Sequence, residues 1–317
     1  MTIEVKFGKA TRDAYGDALA ELGAKNDKIV VLDADLSKST KSNVFAKKFP
    51  ERFVNCGIAE ANMVGAAAGF ASSGLIPFAS SFASFLVCKS FDQIRMSIAN
   101  PHLNVKLIGS HGGISLGEDG ASQQSVEDIS LACALPEFTV LLPADEVSTK
   151  ELTKLISEFE GPVFMRTGRP KAPIIYKEGE QFELGKAKLV RDGKDVTVVA
   201  NGLLVMEALL AADELEKENI SVRVVDVHTI KPIDTEMLEK CARETGAIVT
   251  AEEHLIGGAL SGHVALAVSN TCPVPMEFVG LNSYAESGPA EELMEKYGLT
   301  SKEIVKAIRK VLERKVK

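Results

Sequence analysis

The sequence predicts two doubly wound α/β domains in tandem, the first on a parallel sheet and the second, smaller, on a mixed one. Three observations predict it. Short apolar runs of strand length alternate with amphipathic stretches of helical period from Lys9 to Arg166, the pattern of a parallel sheet with helices on both faces. The stretch 169–184 (RPKAPIIYKEGEQFEL) then breaks the pattern, with two prolines, an acidic Lys-Glu-Gly-Glu tip and no helical period, as a crossover linker does. The alternation restarts at Gly185. The expected layout is therefore a domain at 1–170, a linker at 171–184 and a domain at 185–317.

Taken in order, Lys9–Ala24 carries Ala14, Ala18, Leu19 and Leu22 at three- and four-residue spacing and predicts an amphipathic helix. Ile29–Leu36 (IVVLDADL) is a buried strand that delivers acids and a Ser/Lys/Thr loop to its carboxyl end. Asn43–Phe49 is helical and Arg52–Ile58 is the next strand. Further strands are expected at Ile76–Ser80, Val105–Ser110, Phe138–Pro143 and Pro162–Arg166. Helices separate them at Ala59–Ser73, Ser84–Ala99, Val126–Ala134 and Asp145–Phe159. After the linker, Gly185–Val190 and Asp195–Asn201 read as a strand pair around Arg191-Asp192-Gly193-Lys194. Leu203–Glu218 is a helix, Ser221–Val227 a strand, Asp234–Thr245 a helix and Ala247–Thr250 a strand. Gly257-Gly258 opens a helix to Val268, Met276–Val279 is a strand, and helices near Ala290–Tyr297 and Ser301–Arg314 close the chain.

Composition narrows the function. The 317 residues are 45% hydrophobic, enough for a substantial core, and the net charge of −8 argues against nucleic acid or an anionic membrane as main partner. No apolar run approaches the ~18–20 residues needed to cross a bilayer, and no leader is read before Lys6. The five cysteines are scattered without a C-x-x-C, which points to reduced thiols in a cytoplasm, and the five histidines have no metal-ligand spacing.

The most informative stretch is Phe53–Ser97. It places one carboxylate, Glu60, among Gly, Ala, Ile and Met, at the start of a small-residue helix, and follows it with Phe82 and Phe85, three apart. A carboxylate in such surroundings is costly to bury unless something is bound to it, and it suits proton handling. A plain helix N-terminal acid is the competing reading of Glu60, as ordinary core is for the phenylalanines.

Asn55-Cys56-Gly57-Ile58-Ala59-Glu60-Ala61-Asn62-Met63 and Ser81-Phe82-Ala83-Ser84-Phe85 resemble the pyrimidine-binding domain of thiamine-diphosphate enzymes of the transketolase family. His228-Thr229-Ile230-Lys231-Pro232-Ile233-Asp234 and Ala251-Glu252-Glu253-His254, followed by Gly257-Gly258, resemble the family's C-terminal domain, which mostly supports dimerisation. The resemblance implies that Glu60 hydrogen-bonds the aminopyrimidine ring of the cofactor, that Phe85 stacks on it with Phe82 close by, and that Asp35 and Leu36 lie beside it. It places His111 and Asp119, in the loop Ser110–Gln124, among sugar-binding positions: His111 near the phosphate end of the acceptor, with a catalytic part beside Glu60, and Asp119 on a substrate hydroxyl. Arg12, Ser39 and Arg166 match phosphate-contacting positions, and a planar guanidinium suits bidentate phosphate recognition. Taken singly, Arg12 also reads as a solvated helix charge, Asp35 as a strand-end residue and His111 as a turn histidine.

Two positions depart from the family pattern. Gln123 stands where a histidine usually contacts the donor sugar, and Gln hydrogen-bonds without titrating. Cys88 stands where a further aromatic often lines the pyrimidine pocket. The family's diphosphate motif, which begins Gly-Asp-Gly, does not occur in the sequence. The resemblance therefore implies the C-terminal subunit of a split transketolase. A partner chain would carry the diphosphate and its Mg²⁺ or Ca²⁺, the assembly is expected to be a heterotetramer, and no metal ligand is assigned in this chain. The implied reaction moves a two-carbon ketol unit from a ketose phosphate to an aldose phosphate. Alternatives are the beta subunit of a thiamine-dependent 2-oxoacid dehydrogenase, a relative acting on deoxyxylulose phosphate, and a catalytically silent regulatory subunit.

Overall fold

The computed structural model of the chain describes residues 3–315. Its larger sheet has seven strands. From one edge they are Thr229–Lys231, Thr139–Leu141, Val163–Thr167, Lys106–Ser110, Ile76–Phe82, Ile29–Asp33 and Phe53–Asn55. All neighbours are parallel except Thr229–Lys231, which runs antiparallel to Thr139–Leu141. Ile29–Asp33, Lys106–Ser110 and Val163–Thr167 are buried along their whole length, as strands covered by helices on both faces must be. The smaller sheet is mixed, in the order Met276–Leu281, Ile248–Leu255, Val196–Ala200, Val222–Asp226, Lys188–Arg191, with only the last strand antiparallel.

Several expectations are corrected. The strand pair around Arg191–Lys194 is not a hairpin. Lys188–Arg191 pairs antiparallel with Val222–Asp226, which lies between it and Val196–Ala200. The connection crosses the start of Val222–Asp226, with the Lys194 and Asp195 amides donating to the Ser221 carbonyl, and Gly193 passes so close that an added Cβ would sit 2.2 Å from the Val222 carbonyl carbon. The helix expected over 84–99 is broken into wide π-helical turns at Ser84–Cys88 and Ile94–Ala99 with a short α-turn at Phe91–Gln93 between them. Such turns concentrate at functional sites.

The stretch read as a linker is packed. Its Lys171–Pro173 forms a two-stranded antiparallel ribbon with Phe7–Ala10, a strand the sequence did not signal. The amides of Ile175 and Tyr176 donate to Asp145 Oδ2 at 3.0 and 2.8 Å, and Tyr176 Oη donates to Asp226 Oδ2 at 2.7 Å. Asp145 also caps the helix Glu146–Glu158 through the Ser148 amide. The strand Thr229–Lys231, which follows the linker, joins the larger sheet. The buried cluster around Val198 and Val224 likewise continues into Ile114, Val126 and Ala144. Among the described residues, no helix is long and apolar enough to cross a membrane.

Candidate active site

The polar residues singled out in the first half collect at the carboxyl ends of the parallel strands, where open α/β sheets place their ligands. The strand Ile29–Asp33 ends in a buried carboxylate that sequence reasoning passed over. Asp33 accepts from the Leu36 amide at 2.6 Å, Thr40 Oγ1 at 2.7 Å and Ser42 Oγ at 2.9 Å. Burial raises its pKa while these three bonds pull it back. The bonds fold the loop 34–42 so that the Ser39 carbonyl accepts from Arg12 Nη1 at 3.2 Å. Ser39 thus contributes its backbone, and its half-buried side chain lies alongside. Asp35, exposed and at φ 64°, accepts from Asn55 Nδ2 at 2.9 Å, and Leu36 is half-buried next to it.

The strand Ile76–Phe82 delivers the rings. Phe82 is buried and stacks on Phe85 at 5.7 Å between centroids and on the imidazole of His111 at 4.0 Å. His111 follows the strand Lys106–Ser110 at φ 61°. Its Nε2 lies 2.8 Å from Arg12 Nη1 and its Nδ1 lies 2.7 Å from Ser110 Oγ. A guanidinium has no acceptor, so Nε2 accepts, Nδ1 carries the proton, and Ser110 Oγ receives it. Burial first, and then the charges of Arg12, Arg169 and Lys41, push the imidazole pKa down to about 3. Asp35, Lys41 and His111 all hold left-handed backbone at this edge, the kind of strain that gathers where function needs it.

Glu60 begins the helix Glu60–Ser72 and is 4% exposed. Its Oε1 is buried with no hydrogen-bond partner in this chain, and its Oε2 lies 3.6 Å from Lys89 Nζ. An orphaned carboxylate oxygen, with a lysine that reaches both this carboxylate and the face of the stacked Phe85, fits a flat heteroaromatic ring with N–H donors. The cations Arg12, Lys41 and Arg169, gathered around a neutral imidazole, fit an anionic terminus such as a phosphate. Among the described residues there is no group of three or more His, Cys, Asp or Glu placed to hold a metal ion.

Arg166 does not belong to this set. It is 2% exposed and donates to the Glu253 carbonyl at 3.0 Å and the Ser125 carbonyl at 3.2 Å, with Nε 3.6 Å from the buried Asp128 carboxylate. The guanidinium therefore fastens the two halves of the chain together. The arginine that does reach the site edge is Arg169, three residues on. It donates to the Leu116 carbonyl at 2.6 Å and lies 3.3 Å from Glu118 and 3.9 Å from Asp119. Asp119 is exposed there. Gln123 is half-buried, with its Oε1 accepting from Ser122 and its carbonyl accepting from Ser84 Oγ at 3.0 Å. That last bond ties the loop Glu118–Gln124 to the segment bearing Phe82 and Phe85. Cys88 is exposed beside Lys89.

With this geometry in place, comparison with known proteins is direct. Residues 8–174 match the family model for the transketolase pyrimidine-binding domain, and residues 185–304 match that for the transketolase C-terminal domain. A protein of Methanocaldococcus jannaschii described as a putative transketolase C-terminal section is 45% identical over 95% of this chain and 95% of its own length. The 6-deoxy-6-sulfo-D-fructose transketolase subunit SqwH of Clostridium sp. (strain MSTE9) is 43% identical over 96% of this chain and 95% of its own. A solved structure described as a split gene transketolase, inactive beta4 tetramer, superposes with a TM-score of 0.92 at 49% identity, covering 98% of this chain and 100% of that one.

Proposed function

The chain belongs to the transketolase family, and from that premise we propose that it is the C-terminal subunit of a split, thiamine-diphosphate-dependent transketolase. It would transfer a two-carbon ketol unit from a ketose phosphate to an aldose phosphate in company with a second chain. The observation that carries the reading is Glu60, nearly sealed from solvent with one carboxylate oxygen left unpartnered, and linked through Lys89 to the face of Phe85. When bound, thiamine diphosphate supplies a nucleophilic thiazolium carbon that takes up the two-carbon unit.

This chain's own residues prepare that chemistry. Glu60 offers Oε1 to a ring nitrogen and holds the proton shared with it. Phe82 and Phe85 orient the ring and exclude water. Arg12 and Arg169 grip the phosphate end of the sugar, with neutral His111 orienting Arg12 by accepting from it while Nδ1 donates to Ser110. Asp119 and Gln123 hydrogen-bond sugar hydroxyls, and Asp35 and Leu36 line the cofactor's side. The diphosphate and its Mg²⁺ or Ca²⁺ are assigned to the partner chain, in a heterotetramer in the cytoplasm. The domain boundaries implied are 1–170 and 185–317. The tetramer described as inactive, made of a chain this similar, supports dependence on a partner.

The test is to co-purify the chain with its companion and assay the complex with xylulose 5-phosphate and an aldose phosphate. Glu60→Gln should assemble normally and lose turnover about 10²–10⁴-fold. Undiminished turnover in that variant would sink the reading.

A further inference from the structure

Lys89 follows the π-helical turn Ser84–Cys88. Its ammonium sits 3.6 Å from Glu60 Oε2 and 4.4 Å from the centre of the Phe85 ring, over its face. The acid and the ring assigned above to an aminopyrimidine are thus both engaged by one cation of the same chain. An ammonium there fills volume that a ring stacked on that face needs, since stacked rings stand about 4.5–7 Å apart. It also offers Glu60 what the ligand would offer, N–H donors. The carboxylate gives the reason for the arrangement: it is 4% exposed, and a buried charge is costly without a counter-charge. Among the described residues, Lys89 is its one ion-pair partner. The Lys89 side chain is itself 54% exposed, on a flexible four-carbon stem, so it can move into solvent at small cost.

We propose that Lys89 is the seat-holder of the pyrimidine pocket. Without cofactor, its ammonium stands between Glu60 and Phe85 in the ring's place. When an aminopyrimidine enters, the lysine swings out to solvent and hands Glu60 to the ring. The proposal rests on the cofactor-binding reading above. It gives the buried carboxylate a counter-charge at Oε2 while Oε1 stays open to the ring, and it makes the lysine a competitor that weakens cofactor affinity by the fraction of time it occupies the seat.

Calorimetric titration of the co-purified complex with thiamine diphosphate tests it, using wild type, Lys89→Met and Lys89→Arg. The Met variant should bind about 3- to 10-fold more tightly and the Arg variant about as wild type. A second readout needs no variant. Labelling of the Lys89 amine by an acylating reagent, followed by peptide mass spectrometry, should increase when cofactor is added. Equal or weaker binding by Lys89→Met, or protection of Lys89 by cofactor, overturns the proposal while leaving the function standing. Absence of cofactor binding in all three proteins overturns the function and this proposal with it.

Discussion

Arg12 Nη1 donates to His111 Nε2 at 2.8 Å, and this contact fixes the histidine's chemistry. A partner that can only donate holds the imidazole neutral, and burial and the neighbouring cations act in the same direction, to about 3. A histidine whose folded value lies below its unfolded value of 6.5 contributes stability above 6.5 that is lost as pH falls towards 3. His111 should therefore show flat imidazole NMR shifts from pH 5 to pH 9. No inflection near 6.5 in the turnover of the complex should arise from it. An imidazole titrating near 6.5 would mean that Arg12 does not hold it.

The two phenylalanines differ in what they support. Phe82 is 7% exposed and stacked on two rings, so Phe82→Ala should cost about 3–5 kcal/mol of stability. Phe85 is only half-buried, so Phe85→Ala should cost about 1–2 kcal/mol while weakening thiamine diphosphate binding about tenfold or more. Urea melts of the chain and cofactor titrations of the complex separate the two effects.

The phosphate role that the resemblance implies for Arg166 should fall to Arg169 instead. Arg166→Met leaves the buried Asp128 carboxylate and the Glu253 carbonyl without their partner and takes one of two donors from the Ser125 carbonyl, and should destabilise the chain by about 3–5 kcal/mol. Arg169→Ala should leave the melt within about 1 kcal/mol of wild type. It should raise KM for a phosphorylated aldose about tenfold or more, with little change for the unphosphorylated sugar. A phosphate effect confined to Arg166 would contradict the placement.

These residues also show what the sequence could and could not convey. The strands of the larger sheet were legible because burial on both faces turns them into continuous apolar runs, as in IVVLD. Glu60, Phe82, Phe85 and His111 were singled out through the family resemblance, since taken alone a helix N-terminal acid, core phenylalanines and a turn histidine read as ordinary structure. Thr229–Lys231 was not legible, since three residues next to a proline look like a turn and their partner Thr139–Leu141 lies far earlier in the chain. Asp192-Gly193 carried a genuine hairpin signal, but the glycine serves close approach to Val222. Arg166 ends up inside a strand and Arg169 beyond its end, a difference of register that two arginines three apart do not reveal. Asp33 and Lys89 act through contacts with residues that only the fold brings near.

Asp226 supplies a pH dependence of the opposite sign to that of His111. It ends the strand Val222–Asp226 wholly buried, with Oδ2 accepting from Tyr176 Oη and Oδ1 unpartnered. Burial first, and the charge of Asp145 in addition, raise its pKa from 3.8 to about 7, against the Tyr176 bond and Lys188, which lower it. The folded chain thus keeps a proton that the unfolded chain has lost. Its contribution to stability is complete below about 4 and disappears as pH rises through about 7. Urea midpoints of the wild type should fall between pH 5 and pH 8. Asp226→Asn stays neutral and keeps an acceptor for Tyr176, so it should flatten that fall and leave the variant more stable than wild type at pH 8. Tyr176→Phe removes the bond that favours the carboxylate, so its midpoints should begin from a lower value and the loss should extend to higher pH. Parallel wild-type and Asp226→Asn profiles would show that the carboxyl is ionised throughout, and that the strap from Tyr176 is an ordinary hydrogen bond to a charge.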